Sequence, residues 1–271
     1  MIRRIERIAI ALSFWIVFWG MTGHVFAQDS NPFLTKDDLP DGVMFLPAPP
    51  TVSSEPFKTD LYFYEQGKAA RETQRGAEAK TDSDCSAGGL AKNFSAVIGI
   101  KLSQEATPHT FSLIARTIDT AITATRKPKK HHSRPRPYIE FKEPSLLPDK
   151  ESGHNPNASY PSGHSTAGWA VALLLVELYP QAQDAILKRG YEYGESRVIA
   201  GFHYESDVAM GRLVASAAIA RLHADPEFQK ALVRAKNELT DLLNPGRKHS
   251  HRKHATTGKQ ATSKRRAGAL L

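Results

Sequence analysis

The 271-residue sequence holds a single cysteine, Cys85. No intrachain disulfide can form, and thiolate metal sites are excluded. Long apolar runs are nearly as scarce: after residue 27 nothing approaches the roughly 18 apolar residues of a membrane helix. The best stretch, Ala167 to Leu178, is cut short by Pro180. Internal repeats and alternating apolar-polar runs are also missing, which argues against a solenoid and against a half-exposed sheet. Finally, residues 245–271 contain eight Lys or Arg and no acid. That absence changes the meaning of the net charge of +8, because residues 1–27 carry +2 and residues 245–271 carry +8, leaving residues 28–244 at −2. A basic total suggests a nucleic-acid or anionic-surface binder. A mildly acidic body does not, and no specific nucleic-acid partner is expected for it.

The sequence divides into four parts. Residues 1–27 have a basic start with Arg3, Arg4 and Arg7, an apolar run from Ile8 to Met21 and the small Ala27, the pattern of a cleavable secretory signal peptide. The expected location is therefore the periplasm. Residues 28–58 are rich in Pro and Asp, stiffest at Pro47-Ala48-Pro49-Pro50, and read as an extended arm. Residues 59–244 carry helical signals throughout. Asp60 is read as the cap of a helix reaching about Lys80, and a second helix spans Gly88 to Ile100. Thr107-Pro108 and Asp225-Pro226 are strong helix starts, a capping residue followed by proline at the first helical position. Between them lie a basic, proline-broken segment from Arg126 to Pro137, an irregular stretch to Tyr160, and helices over Gly168–Leu178, Gln183–Ile199 and Ser206–Leu222. The expected fold is one all-α domain. Residues 245–271 are read as a solvated, disordered basic tail that could touch anionic surfaces by charge alone.

Three separated segments look unlike core or surface filler. Lys127, Arg134 and Pro135 form the first, Tyr160-Pro161-Ser162-Gly163-His164 the second, and Ser196-Arg197, His203 and Asp207 the third. Each suits a phosphate-sized oxyanion. Lys127, Arg134 and Arg197 supply permanent positive charge, and arginine can grip two oxygens at once. Ser162 and Gly163 stand at a helix amino terminus, where free amides and the helix dipole favour an anion. His203 and Asp207 are four apart, so on a helix the carboxylate can hold one ring nitrogen protonated and leave the other as a nucleophile. Alone, each residue is more often a solvated charge, a satisfied histidine or a plain helix cap. Their joint occurrence in order is what gives them weight.

Together these segments resemble the Lys-x6-Arg-Pro, Pro-Ser-Gly-His and Ser-Arg-x5-His-x3-Asp signature of the phosphatidic acid phosphatase type 2 superfamily. Within it the sequence is most similar to class A bacterial non-specific acid phosphatases, from about Pro32 to Leu222. The Leu46-Pro47-Ala48-Pro49-Pro50 arm and Tyr193-Gly194-Glu195-Ser196-Arg197-Val198 carry the likeness outside the signature. Two small departures are Ala158 and Ser165, where class A usually has Gly and Thr. The resemblance implies a secreted all-helical phosphomonoesterase of broad range in which His203 is the nucleophile, His164 the general acid and then base, and Asp207 the residue orienting His203. It implies that Lys127, Arg134, Ser162, Gly163 and Arg197 bind the phosphoryl oxygens, that no metal or other cofactor takes part, and that the partners are small phosphate esters. Three readings of the same residues stay open: a vanadium haloperoxidase, a nucleoside triphosphate hydrolase and a phosphotransferase. Oligomeric state is open too, with a homo-oligomer compatible with the Ala-rich helices. The remaining histidines, among them His131, His132 and His109, read as decoys or surface groups. His154 is a residue that could line the pocket.

Overall fold

A computed structural model describes residues 31–244. The expected leader and basic tail, with His249, His251 and His254, lie outside the described residues. Among those described, every regular element is helical. In chain order they are α1 (Gly42–Phe45), α2 (Phe57–Ala69), α3 (Gln74–Thr81), α4 (Ala87–Ile98), α5 (Pro108–Ala124), α6 (Arg126–His132) and α7 (Pro137–Glu140). A 3-10 helix over Pro148–Gly153 follows, then α8 (Gly163–Leu178), a short 3-10 helix over Pro180–Ala182, α9 (Gln183–Ile199), α10 (Glu205–Leu222) and α11 (Pro226–Leu243). No helix among them is long and apolar enough to cross a membrane.

The centre is α8. Its sequence is apolar on nearly every face, and Ala167, Ala170, Val171, Ala172, Leu174, Leu175 and Leu178 are all buried. It therefore takes neighbours on several sides, with α9 and α10 packed most extensively and α5 behind. Small residues set the spacing: a side chain at Gly168 would collide with the Tyr193 ring of α9, and one at Gly190 with Ala172 of α8. α11 closes the far side of α5 with Phe228, Ala231, Leu232, Ala235 and Leu239, a stripe at helical spacing.

Outside α1 the arm up to Pro56 is irregular, extended around its prolines and turning at Thr35–Asp38 and Thr51–Pro56. It is also anchored, since Leu34, Leu39 and Leu46 are buried in the main core and Phe33 meets Phe228 edge to face at 5.4 Å. Its carbonyls are put to use near the functional residues: Tyr160 Oη donates to Pro47 O at 2.5 Å, and Arg134 Nη2 to Pro50 O at 3.3 Å.

Three local expectations are corrected. The helix read as running from Asp60 to Lys80 is two helices, α2 and α3. Asp60 does not cap α2, which begins three residues earlier. It is buried and accepts from Ser206 N (2.8 Å), Ser206 Oγ (2.6 Å) and Arg134 Nη2 (2.7 Å), so it serves the start of α10 instead. The segment read as proline-broken contains α6. Pro128 lies in its first turn, where a missing N–H costs nothing.

Candidate active site

The buried pair His203 and Asp207 organises the site. They are not on one helix: α9 ends at Ile199 and α10 starts at Glu205, close to the bounds read from the sequence, Gly201 takes φ 75° in the left-handed region that suits glycine, and His203 lies in the loop between. Asp207 sits in the first turn of α10 and turns back to accept from Tyr204 N at 2.9 Å. The pairing survives by this other route. His203 Nδ1 lies 3.5 Å from Asp207 Oδ2 and 3.4 Å from Ser159 Oγ, while Ser159 Oγ donates to the same Oδ2 at 2.5 Å. On the far side of the ring, His203 Nε2 is 3.1 Å from Arg136 Nη1. A guanidinium has only donors, so Nε2 is the acceptor and the ring proton sits on Nδ1, toward Ser159 and Asp207. The imidazole thus shows a lone pair to a cation.

Behind Asp207 stands Arg134. Its Nη1 donates to Asp207 Oδ1 at 2.6 Å, its Nη2 to Asp60 at 2.7 Å, and its guanidinium lies 4.0 Å from the Tyr204 ring centre. Burial alone would pull Arg134 down, but Asp207 and Asp60 outweigh it and hold the group above its ordinary value. With two carboxylates already bound, Arg134 does not belong to an anion pocket, and its expected phosphate-binding place is not where the structure puts it. Lys127 is corrected as well. It is half exposed on α6 and lies 3.5 Å from Asp41 of the arm, away from the histidines.

The charges that do converge are two residues further on. The sequence satisfies Lys-x6-Arg-Pro a second time, with Lys129, Arg136 and Pro137. In α6, residues two apart project about 200° apart around the axis. Lys127 therefore faces solvent while Lys129 faces inward and donates to Ala158 O at 2.6 Å. Burial, reinforced by Arg136, lowers the Lys129 amine to about 7. Arg136 is buried too and its donors meet the carbonyls of Asn155, Phe202 and Ala158 and the ring of His203, with no carboxylate among them. Arg197 is fully buried, stacks over Phe202 at 4.8 Å, and leaves Nε and Nη1 with no acceptor among the described residues. Burial lowers it to about 10. Three buried basic groups, none hydrogen-bonded to a carboxylate, thus surround His203, an arrangement in which buried positive charge favours an anion.

The second motif closes this site. Ser162 caps α8, with Ser165 N 3.3 Å and Ser165 Oγ 2.9 Å from its hydroxyl, and its own amide donates to Asp207 O at 2.9 Å. Its role here is the cap rather than a direct grip on an anion. Gly163 follows at the first helical position, facing Lys129, and its amide is among those that a helix start leaves without an intrahelical acceptor. His164 donates from Nε2 to Ser83 O at 3.3 Å. The loop carrying Ser83 is held by Asp82, a buried carboxylate that pairs with Arg189 and accepts from Ser196 Oγ at 2.6 Å. Ser196 of the third motif thus acts through Asp82. Burial, then Arg197 and His203, hold His164 well below its ordinary value; burial, then Arg136, Lys129 and Arg197, do the same to His203. His131 and His132 meet edge to face at 4.8 Å, and His132 meets Tyr160 edge to face at 5.0 Å. Among the described residues no cluster of His, Cys, Asp and Glu has the arrangement of a metal site.

Four participants escaped sequence reasoning: Lys129, Arg136, Ser159 and Asp60. For the first two the signal was present, a second copy of the spacing offset by two. For Ser159 it was weaker, a hydroxyl three residues before the helix cap.

Comparison with known proteins gives the family. The family model for the PAP2 superfamily matches residues 106–230, which hold all three segments. The non-specific acid phosphatase of Providencia stuartii is 43% identical over 211 residues, covering 78% of this chain and 85% of that protein. That of Salmonella typhimurium is 35% identical over 228 residues, covering 84% and 91%, and the acid phosphatase of Zymomonas mobilis 33% over 232 residues, covering 85% and 88%. Likeness of this extent, added to the signature and the all-helical core, shows that the chain belongs to the class A bacterial non-specific acid phosphatases of the PAP2 superfamily.

Proposed function

We propose that this acid phosphatase hydrolyses a broad range of phosphate monoesters in two displacements at His203, without a metal ion, after export to the periplasm. The observation that carries the reading is the environment of His203 Nε2: an unprotonated nitrogen 3.1 Å from Arg136, on a ring whose other nitrogen faces Ser159 and Asp207. Lys129, Arg136, Arg197 and the Gly163 amide hold the non-bridging phosphoryl oxygens. Nε2 attacks phosphorus, the P–O bond to the alcohol breaks, and His164 gives its proton to the departing oxygen. Water then attacks the phosphohistidine, His164 takes the proton, and the P–N bond breaks to release phosphate. Asp207 stabilises the charge that His203 gains.

Within the protein alone both histidines resist protonation. The first step needs only His203 neutral, whereas His164 must carry a proton. A bound dianion beside His164 favours its charged form, so activity is expected on the acid side and lost as His164 deprotonates. The export reading rests on the residue 1–27 pattern alone.

The test is release of phosphate from phenyl phosphate at acid pH with a chelator present and vanadate as competitor. Turnover that survives the chelator and falls with vanadate supports the reading. His203→Ala should lose at least about 10³-fold in kcat and give no acid-quenched phosphoenzyme. A chelator-sensitive enzyme, or an active His203→Ala variant, contradicts it.

A further inference from the structure

Beside His164 lies a second imidazole that this mechanism does not use. His154 ends the 3-10 helix over Pro148–Gly153, partly exposed, with its ring 4.9 Å from Phe202 and 6.1 Å from the His164 ring. Its Nδ1 is 2.8 Å from Lys150 O. A carbonyl only accepts, so Nδ1 carries a hydrogen and Nε2 is the nitrogen left without a protein partner among the described residues. The contact through Phe202 is specific: the same ring carries the Arg197 guanidinium at 4.8 Å. His154 therefore stands next to the phosphate cations on the side of His164, the residue that meets the leaving group. That is where the remainder of a substrate must emerge.

We infer that His154 is a specificity-determining residue, contacting the leaving group and favouring substrates whose leaving group is itself anionic, phosphoanhydrides such as pyrophosphate above all. This rests on the hydrolase reading above. In its neutral form His154 offers an anion nothing, because Nε2 is then an acceptor. Protonated, it adds a fourth cation and a donor at Nε2. Its charge is set by Lys129, Arg136 and Arg197 in the pocket, by His164 of α8, and by the Lys150 carbonyl. Glu151, the adjacent carboxylate, is turned away to the Ser145 amide at 2.7 Å. Burial, followed by the three pocket cations, keeps His154 below its ordinary value despite Lys150. Protonation therefore needs acid pH or an anionic ligand that offsets those cations. Preference for the anionic leaving group should grow as pH falls.

The experiment compares kcat/KM for pyrophosphate and for phenyl phosphate across acid to neutral pH in the wild-type enzyme, His154→Leu and His154→Gln. Substrate ionisation is common to all three proteins and cancels between them. At acid pH both variants should lose about tenfold on pyrophosphate, the scale of a hydrogen bond to a charged group, and keep phenyl phosphate turnover within about twofold. The wild-type rise in the pyrophosphate ratio with falling pH, relative to the variants, should disappear with the imidazole. His154→Gln keeps a polar side chain of similar size and guards against a packing defect. Wild-type ratios and pH dependence in both variants overturn the role of His154. Absence of phenyl phosphate turnover in the wild-type enzyme overturns the hydrolase reading instead.

Discussion

Arg134 and Arg136 are separated by one residue and both are buried, but they carry their charge into different surroundings. Arg134 meets two carboxylates, Asp60 and Asp207, and its charge is raised in stability by them. Arg136 meets only carbonyls and the lone pair of His203, and burial lowers it. The pair brackets the machinery in a line: Arg134, Asp207, His203, Arg136. On one side the cation fixes the orienting carboxylate. On the other no carboxylate bonds to it, which suits the anion role proposed for it. A buried positive charge is informative about function only once its counter-charges are counted.

Removing each arginine should separate the two roles. Arg136→Ala takes a donor from the phosphoryl oxygens and should cost about 10²–10³-fold in kcat on phenyl phosphate, with the melting temperature little changed. Arg134→Ala strands Asp60 and Asp207 in the interior and should cost about 3–5 kcal/mol of stability in urea denaturation. If Arg134→Ala is as stable as wild type, the structural role assigned to Arg134 is wrong.

The same contrast has a pH signature. Burial and the neighbouring cations hold His164 and His203 down, so the unfolded chain binds protons that the native state refuses. Stability should fall as pH drops below about 6.5, the unfolded histidine value. Lys129 works in another window. Its native value of about 7 lies below its unfolded one, so between the two the unfolded chain again holds the extra proton and stability rises with pH. Vanadate or phosphate should flatten the acid slope, because a bound anion lets the native histidines accept protons. A slope unchanged by anion in thermal melts across pH would count against the shared pocket.

Much of this was legible in the residues. Apolar periodicity marks α5, α9 and α11, proline marks the starts of α5 and α11, and the continuous apolar face of α8 identifies the central helix. His164, Arg197, His203 and Asp207 come together as their motifs imply. The errors share a cause. Helix α6, rich in Lys and His, has no apolar stripe to announce it, and without the helix nothing decides which of two overlapping Lys-x6-Arg-Pro spacings faces inward. Asp60 looks like a local cap because its true partners, Ser206 and Arg134, are distant in sequence. The four-residue spacing of His203 and Asp207 would pair them only on a helix; the expected bounds already left His203 between two helices, Gly201 turns that loop, and the carboxylate reaches the ring while capping α10.

The smallest expected effect is also the most decisive. Lys127 and Asp41 form an exposed pair of the kind worth about 0–1 kcal/mol, while Lys129 is inside the proposed phosphate site. Orthovanadate affinity, measured by calorimetry on Lys127→Ala and Lys129→Ala, therefore tests the central claim that the second spacing builds the pocket. Wild-type affinity for Lys127→Ala and a loss of about tenfold or more for Lys129→Ala is the predicted result. Equal losses, or a loss confined to Lys127→Ala, would contradict it.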